Sequence, residues 1–314
     1  MNRVPVYLRL TATTFIWASV FHFGRYAVHH IHPLAAAAWR FGLGSLFLIP
    51  LVQRREGWPL PLLRASAGAL LAMALTGVVI FNGAMFYGLQ RTSAVNAALI
   101  LALSPAMTTV LSAALERRPI GLLQWLGLPL GIAGVACVVS GGSWELLRQL
   151  RFSSGDWLML AASGAWSLYA VIPGRFVRGL SVLQTTGAST LIGAVLLIVL
   201  ALLLAPAPTD IRPLRLALAL VYMGLFGTTL ALAWWNDGVQ RLGAAGAALF
   251  MNLTPVFAAV IAAAMGQPLT YAHLAGAVLV ISGVTCASWQ TRRASHLPGA
   301  AESPDPPAPR THRP

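Results

Sequence analysis

Apolar residues form long runs along this chain, and charged residues stand between the runs. Several charge-free runs reach the length of about 20 residues that a transmembrane helix needs. They include the runs between Arg64 and Arg91, between Arg118 and Glu145, between Arg178 and Asp210, and between Arg215 and Asp237. The stretch from Arg241 to Arg292 contains no other Asp, Glu or Arg and is too long for one helix, so residues 266–268 (Gly-Gln-Pro) are predicted to be a turn. The pattern predicts ten helices, at residues 8–28, 33–53, 65–87, 93–115, 119–140, 156–174, 181–204, 214–236, 243–265 and 270–290.

The chain also resembles itself at a shift of 150 residues. Residues 88–91 (Gly-Leu-Gln-Arg) match residues 238–241 (Gly-Val-Gln-Arg), and in the same register 103–105 (Leu-Ser-Pro) match 253–255 (Leu-Thr-Pro). A constant register of this kind is typical of a duplicated unit. Each unit holds five predicted helices, an odd number, so the second copy is predicted to be inserted in the opposite orientation.

Composition supports a membrane location. Hydrophobic residues make up 57% of the chain and charged residues 9%, a balance that a water-soluble core cannot absorb. The sequence therefore predicts an all-α polytopic membrane protein with ten transmembrane helices arranged as two inverted five-helix repeats. The first repeat is placed at residues 1–145 and the second at 146–294. The Pro-rich, polar residues 295–314 are predicted to be a disordered cytoplasmic tail.

The net charge of +13 comes from arginines dispersed among the helix ends. A nucleic-acid partner is not expected, because a phosphate-tracking surface gathers basic residues on one face. The arginines are instead interpreted as topology determinants that meet the lipid bilayer. With the amino terminus inside, twelve arginines fall on the cytoplasmic side and six outside, leaving out Arg40 and the distal tail. This bias favours a protein of the inner or plasma membrane with both termini in the cytoplasm.

The acidic residues argue against catalysis. All eight lie in predicted loops, at helix ends or in the tail, whereas an intramembrane enzyme needs carboxylates, metal ligands or an activated nucleophile at bilayer depth. We therefore expect neither an enzyme nor a bound cofactor or metal, and transport that depends weakly on a proton gradient. For His22, a hydrogen bond to a neighbouring carbonyl is favoured over a proton relay.

Arg40 lies about a third of the way into the second predicted helix. An arginine at the bilayer centre costs roughly 2.5–3.5 kcal/mol on insertion scales. Two interpretations remain open. Arg40 is either an electropositive contact for a carboxylate substrate or a side chain that extends to the outer interface beside Trp39.

Predicted helices 4 and 9 each contain a proline near the middle, Pro105 and Pro255. Such a proline removes a backbone hydrogen bond and frees the carbonyl four residues earlier, so both are candidates for helix breaks with a gating role. Ser104 and Thr254 either bond back to their own helices or contact substrate. Asn96 joins Ser104 in a polar stripe, at spacings of four residues, that is predicted to face the protein interior.

Asn252 has no polar counterpart in the first repeat and projects about 200° away from Thr254, so both are not expected to face one cavity. Asn252 is the preferred specificity residue. Other candidate substrate contacts are an amide and several aromatic residues, for which packing or an interfacial belt is the alternative. They are Asn82, Tyr87, Trp17, Trp166, Tyr169 and Trp234. Gly127, Gly131 and Gly134 predict close helix packing, either within one chain or in a homodimer.

Several segments resemble the EamA-type repeat of the drug/metabolite transporter superfamily. In the first repeat these are residues 87–94 (Tyr-Gly-Leu-Gln-Arg-Thr-Ser-Ala), 104–105 (Ser-Pro), 116–119 (Glu-Arg-Arg-Pro), 124–127 (Gln-Trp-Leu-Gly) and 131–135 (Gly-Ile-Ala-Gly-Val). The second copy, from Gly238 to Gly283, is similar. The resemblance implies a ten-helix carrier with cytoplasmic termini and inverted copies, often an exporter of amino acids, metabolites or drugs. Gln267 departs from the pattern, since the first repeat has Glu116 at the equivalent place.

The residues and the resemblance together predict a secondary transporter, an exporter of a small metabolite, amino acid or drug, that works by alternating access. The alternative is a membrane-embedded scaffold or a channel-like pore without alternating access. A pore is expected to show flux that does not saturate, and a scaffold to show no flux.

Overall fold

The computed structural model describes residues 4–115, 117, 122–139, 142–143, 145, 153–205, 213–251 and 253–294. All regular secondary structure within these residues is helical, which confirms the predicted all-helical architecture. The predicted tail, the candidate Asn252 and Glu116 lie outside the described residues.

Twelve helices follow one another in the described part of the chain. We number them α1 (Val4–Val28), α2 (Pro33–Arg55), α3 (Leu60–Ala65), α4 (Ala67–Met73, Ala74–Ile80 and Phe81–Leu89 without interruption), α5 (Ala94–Leu101), α6 (Ser104–Leu115), α7 (Leu122–Val139), α8 (Ser154–Phe176), α9 (Val182–Leu204), α10 (Leu214–Tyr222, Met223–Leu230 and Ala231–Met251 without interruption), α11 (Leu253–Ala264) and α12 (Tyr271–Ala294). Gly266, in the turn predicted between α11 and α12, adopts a φ of 75°, which favours glycine.

Seven helical stretches in the described residues are long and apolar enough to cross a membrane. They are Val4–Val28, Pro33–Arg55, Ala67–Leu89, Ala94–Leu115, Ser154–Phe176, Val182–Leu204 and Leu214–Gly238. Shorter apolar helices cover Trp125–Gly134, Leu253–Ala264 and Tyr271–Gly283. Large apolar side chains such as Leu202 and Leu218 are exposed on the outside of the bundle, where lipid rather than water is the compatible solvent.

The prediction that Pro105 lies in the middle of a continuous helix is wrong. The chain leaves the helical path after Leu101, and Pro105 is the second residue of α6; Pro255 is the third residue of α11. Proline suits these positions because the first N–H groups of a helix have no intrahelical partner. Pro105 therefore starts a new helix and does not kink an existing one, whereas Asn252, which separates α10 from the helix that carries Pro255, lies outside the described residues.

The predicted connection between helices 8 and 9 is also wrong, because residues 237–242 are helical within Ala231–Met251. In the first repeat the corresponding helix ends at Leu89, and Ser93 caps the next helix by accepting a hydrogen bond from the Asn96 N–H at 3.0 Å. The second repeat has Gly243 in place of Ser93, so the side-chain cap is missing. Asp237 and Arg241 form an ion pair one turn apart that stabilises the continuous helix.

Two π-helical segments, Ala74–Ile80 in α4 and Met223–Leu230 in α10, occupy corresponding places in the two repeats. The wider turn leaves carbonyls displaced from the α-helical ladder, and nearby side chains donate to them. Asn82 Nδ2 lies 2.9 Å from the Val78 oxygen, and Thr228 Oγ1 lies 3.4 Å from the Met223 oxygen. Segments of this kind are frequent at functional sites.

Helices α7 and α12 pack closely through glycines. A Cβ on Gly134 would lie 2.8 Å from the Gly276 oxygen, and one on Gly283 would lie 2.6 Å from the Gly127 oxygen. The glycine face of predicted helix 5 is therefore used within the chain. The homodimer stays a prediction.

Helix α1 is held at both ends by elements from different repeats. Near its start, Arg9 pairs with Asp237 at 2.8 Å, and Arg241 pairs with the same carboxylate; we call these three residues the ion-pair end. Near its finish, Gln90 donates to the Val28 oxygen at 3.1 Å. Beside Gln90, Thr92 and Ser153 hydrogen-bond Asp156, and we call these three the hydroxyl end.

Candidate functional site

A cavity of about 100 Å³ lies in the middle of the bundle. Its walls come from both repeats and are mostly apolar. The lining residues are Trp17, Val20 and Phe21 of α1; Arg40 and Phe41 of α2; Gly77, Val78, Phe81 and Met85 of α4; Leu101 and Ser104 at the α5–α6 break; Trp166 and Tyr169 of α8; Thr190 of α9; Gly227, Thr228, Leu232 and Met251 of α10; and Thr254 of α11.

Equivalent positions of the two repeats meet in this cavity. Residues that correspond at a shift of 149 or 150 line it from both sides, and they include an aromatic, a small and a hydroxyl pair. These pairs are Trp17 with Trp166, Gly77 with Gly227, and Ser104 with Thr254. Equivalent positions of the two sequence repeats thus both contribute to the cavity wall.

The two glycines of the π-helical segments make room for the neighbouring helices. A Cβ on Gly77 would lie 2.2 Å from the Tyr169 ring, and one on Gly227 would lie 2.7 Å from Val20. The indole N–H of Trp17 donates to the Gly227 oxygen at 3.0 Å, which fixes that ring in the wall. Any larger residue at either glycine would push an aromatic or aliphatic wall into the cavity.

Arg40 is the only charged side chain among the described lining residues. It is 7% exposed, so it does not extend to the interface as one of the two interpretations required. Its Nε donates to Thr228 Oγ1 at 3.3 Å, its Nη1 donates to Asn82 Oδ1 at 3.1 Å, and its guanidinium carbon lies 5.2 Å from the centre of the Phe41 ring. The guanidinium is therefore held between Thr228, in the π-helical segment of α10, and Asn82, just after the π-helical segment of α4.

No described carboxylate pairs with Arg40. The two hydrogen bonds use two of its five N–H donors, and arginine does not deprotonate in proteins. The register that places Gly44 opposite Gly193 puts Ser189 at the equivalent position of the second repeat, so the charge has no counterpart there. The cavity consequently carries one uncompensated positive charge.

The hydroxyl pair Ser104 and Thr254 has different surroundings in the two repeats. Ser104 donates to the freed Leu101 carbonyl at 2.6 Å and lies 2.8 Å from the Ser163 hydroxyl, so it bonds back as one interpretation expected. Thr254 is 7% exposed, and its hydroxyl has no hydrogen-bond partner in the described structure. Of these two hydroxyls, only that of Thr254 is without a hydrogen-bond partner in the described structure.

The structure brings six of the predicted site residues together in the cavity wall and leaves others outside it. The six are Trp17, Arg40, Ser104, Trp166, Tyr169 and Thr254. Asn82 lies behind Arg40 and orients it. Tyr87 does not line the cavity; its hydroxyl lies 3.3 Å from His32 Nε2. His22 Nε2 lies 2.9 Å from the Ala258 oxygen, as expected for a histidine satisfied by a carbonyl.

Asn96 and Trp234 also lie away from the cavity. The break at residues 102–103 shifts the helical register, so Asn96 in α5 does not share one continuous polar face with Ser104 in α6. The predicted stripe is therefore interrupted. Pro105 lies in the first turn of the helix that follows this break, and Pro255 is the third residue of α11.

Sequence reasoning missed Thr228, which holds Arg40, and the aromatic wall residues Phe21 and Phe81. One signal was available for this part of the site. Gly77 and Gly227 match at the shift of 150 that aligns the two repeats, and both line the cavity.

Comparison with known proteins decides the family. The sequence profile of the EamA-like transporter family matches residues 5–140 and again residues 153–289. The chain belongs to the EamA-like transporter family. Two matches within one EamA chain agree with the internal repeat, and the family identifies a multi-pass membrane transporter.

Relatives of this EamA transporter cover nearly its whole length. It is 34% identical to the uncharacterised transporter YyaM of Bacillus subtilis over 92% of this chain and 95% of the relative. It is 27% identical to the uncharacterised inner membrane transporter YedA of Escherichia coli K12, over 84% and 83% of the two chains. A protein crystal structure matches with a TM-score of 0.64 and 20% identity, covering 93% of this chain and 99% of that one, which shows a shared fold.

Proposed function

We propose that this EamA transporter is a secondary transporter that exports a small organic molecule, within the range of metabolites, amino acids and drugs. It works by alternating access between two inverted five-helix repeats, with the substrate in the central cavity. Both termini lie in the cytoplasm, and ten helices cross the membrane.

The observation that carries this proposal is the cavity lined by equivalent positions of both repeats. In transporters built from inverted repeats, the substrate site lies near the midplane at the interface between the repeats. When one repeat moves relative to the other, a site on their shared axis can be exposed first to one side and then to the other. The cavity around Trp17, Trp166, Ser104 and Thr254 fits such a site.

Contacts of helix α1 support the inversion. Residues 88–91 of the first repeat lie beside its end at Val28, whereas the matching residues 238–241 lie beside Arg9 near its start. Nineteen residues of helix separate Arg9 from Val28, a distance of about 28 Å at 1.5 Å per residue. Matching segments placed this far apart along one helix are what a pair of oppositely inserted repeats requires.

A matched pair of cysteines tests the inversion. In a background with Cys137→Ser and Cys286→Ser, the exposed equivalents Arg91 and Arg241 are each changed to cysteine. A membrane-impermeant maleimide should label Arg91→Cys in intact cells, and Arg241→Cys only in inverted vesicles. Labelling of both from the same side would remove the inverted arrangement.

Alternating access is tested separately in proteoliposomes. A carrier returns faster when its site is occupied, so unlabelled substrate on the opposite side should accelerate the efflux of labelled substrate, and the flux should saturate. A channel-like pore gives flux proportional to concentration without such acceleration, and a scaffold gives none. Either result would replace the carrier proposal.

A further inference from the structure

We propose that the cavity binds a small monoanion, a carboxylate carried on an aromatic or branched apolar body that has no ammonium group. This narrows the substrate class of the site under the proposed function. It rests on that function only in calling the ligand a substrate, because binding can be measured without transport.

The first argument is the unpaired charge of Arg40. Its guanidinium is buried, anchored on one side by Asn82 and Thr228, and has N–H donors left over. An isolated buried charge is highly unfavourable, and a planar carboxylate accepts two parallel N–H bonds from a guanidinium. Asn82 and Thr228 are neutral, so they orient the guanidinium but do not compensate its positive charge. The missing partner is therefore an anion.

The second argument is independent of Arg40. The Thr254 hydroxyl is buried in the same cavity wall and has no partner in the described structure, although its equivalent Ser104 bonds to Leu101 and Ser163. Buried hydroxyls are almost always hydrogen-bonded. A ligand oxygen in the cavity supplies the missing acceptor.

The third argument excludes an ammonium group. The described lining contains no carboxylate, and the Gly227 carbonyl already accepts the Trp17 indole N–H. A monoanion neutralises Arg40, whereas a zwitterion leaves the site with its original net charge and a cation adds to it. In an apolar cavity this difference decides which ligand binds.

The size and walls of the cavity describe the rest of the ligand. One water needs about 10–15 Å³ of comparable cavity volume, so about 100 Å³ holds roughly seven to ten water-sized groups. Phe21, Phe81, Met85 and Trp166 form much of the wall and favour an aromatic or branched body. Benzoate, phenylacetate and 3-methylbutanoate are of this size and chemistry.

The wild-type protein in detergent tests the proposal with a series that keeps the body and changes the charge. Tryptophan fluorescence should report binding, because Trp17 and Trp166 line the cavity. Benzoate should bind saturably, and benzamide, its neutral analogue, should bind at least about thirtyfold more weakly, the lower bound for losing one partner of a buried charge pair. Benzylamine and phenylalanine should bind more weakly than benzoate. Equal binding of benzoate and benzamide, tighter binding of either amine, or no binding of any of the three carboxylates would overturn the proposal.

Single-residue variants test whether Arg40 and Thr254 cause the preference for a carboxylate. Arg40→Gln keeps hydrogen-bonding groups near Asn82 and Thr228 but removes the charge, so benzoate affinity should fall at least about thirtyfold while benzamide affinity stays unchanged. Arg91→Gln removes an exposed arginine and should leave benzoate affinity unchanged, as the matched control. Thr254→Val should weaken benzoate severalfold without lowering the melting temperature. Wild-type affinity in Arg40→Gln would overturn the assignment; if that variant does not fold, the wild-type series and Thr254→Val decide.

The two proposals fail separately. Binding of benzoate without any flux in proteoliposomes would remove the transport proposal and keep the ligand class. Saturable, exchange-accelerated flux of an amine that excludes benzoate would keep the transport proposal and remove the ligand class.

Discussion

The two ends of helix α1 are closed by contacts of opposite character. At the ion-pair end, Arg9 and Asp237 meet with side chains that are 46% and 22% exposed. At the hydroxyl end, Asp156 is 3% exposed and accepts hydrogen bonds from Thr92 at 2.7 Å and from the Ser153 N–H and hydroxyl at 3.0 and 2.6 Å. Corresponding elements of the two repeats build both ends. The ion-pair end is partly exposed and held by charges, whereas the hydroxyl end is buried and held by hydrogen bonds to one carboxylate.

The difference indicates which end of α1 opens at the smaller cost in free energy. An exposed ion pair contributes about 0–1 kcal/mol and is screened by salt, and its partners are hydrated when they separate. At the hydroxyl end, the hydrogen bond that joins the two repeats runs from Thr92 to the buried Asp156. Breaking this bond separates polar groups that are buried and paired in the closed state, so opening there costs more free energy. A carrier built this way should open first at the ion-pair end, the cytoplasmic end in the proposed topology.

The largest effect is expected from removing the two carboxylates in parallel. Asp156→Ala loses the capping box and strands the donors of Thr92 and Ser153, and should lower the free energy of unfolding by about 3 kcal/mol. Asp237→Ala should lower it by less than about 1 kcal/mol. Thermal unfolding in detergent compares the two, and equal losses would erase the contrast between the ends.

Glycine substitutions compare the packing at the two ends. A Cβ on Gly155 would lie 2.8 Å from the Gly88 oxygen, a backbone atom that cannot move alone, so Gly155→Ala should destabilise the protein by about 1–3 kcal/mol. A Cβ on Gly238 meets only the side chain of Leu10, the nearest atom at 2.5 Å, which can change rotamer. Gly238→Ala should therefore lower the melting temperature less; the reverse order would show that the hydroxyl end is the more adaptable.

Access to the cavity should respond at one end only. In the background without native cysteines, Thr254→Cys reports entry of an impermeant thiol reagent. Asp237→Asn should raise its labelling rate from the ion-pair side by up to about fivefold, the equivalent of about 1 kcal/mol, and leave labelling from the other side unchanged. At 1 M salt, where the Debye length is about 3 Å, the rates with and without Asp237→Asn should converge. A salt-independent difference would mean that the ion pair does not hold this end closed.

The smallest effect is expected from Arg241→Gln. The Asp237–Arg241 pair is a surface pair one helical turn apart, and such pairs contribute about 0.3–0.5 kcal/mol. The melting temperature of Arg241→Gln should differ little from that of the wild type. Arg9→Gln breaks the link between α1 and α10, so it should increase cavity labelling more than Arg241→Gln does. The opposite ranking would show that the Asp237–Arg241 pair within α10, and not the Arg9–Asp237 pair, limits access to the cavity.

Much of the fold follows from the sequence because hydropathy and turn residues are local properties. The apolar runs locate most of the helices within a few residues, apart from the unpredicted α3 and the wrong connection between predicted helices 8 and 9, and the Gly-Gln-Pro turn is where the sequence places it. The break in the first repeat differs from the predicted one because Pro105 occupies the first turn of a new helix, where it causes no loss of a backbone hydrogen bond. The continuity of α10 depends on a missing cap at Gly243, an absence that hydropathy does not register.

The site was harder to predict because its partners are distant in the chain. Arg40 could be identified as an unusual buried charge, but Thr228, its partner 188 residues away, has no local signature. The π-helical segments likewise depend on how Gly77 and Gly227 pack against other helices. That Asn82 orients Arg40 and does not line the cavity follows from side-chain geometry, which helical periodicity does not determine.

The lone charge of Arg40 has an electrical consequence for the proposed cycle. With a monoanion bound, the site is neutral when it changes sides, and the transmembrane voltage does no work on it. The empty site returns with its positive charge, and a voltage that is negative inside favours that return by about 2.3 kcal/mol per 100 mV. Each turnover then moves one negative charge outward, so the resting potential alone can drive export without a titrating carboxylate in the membrane.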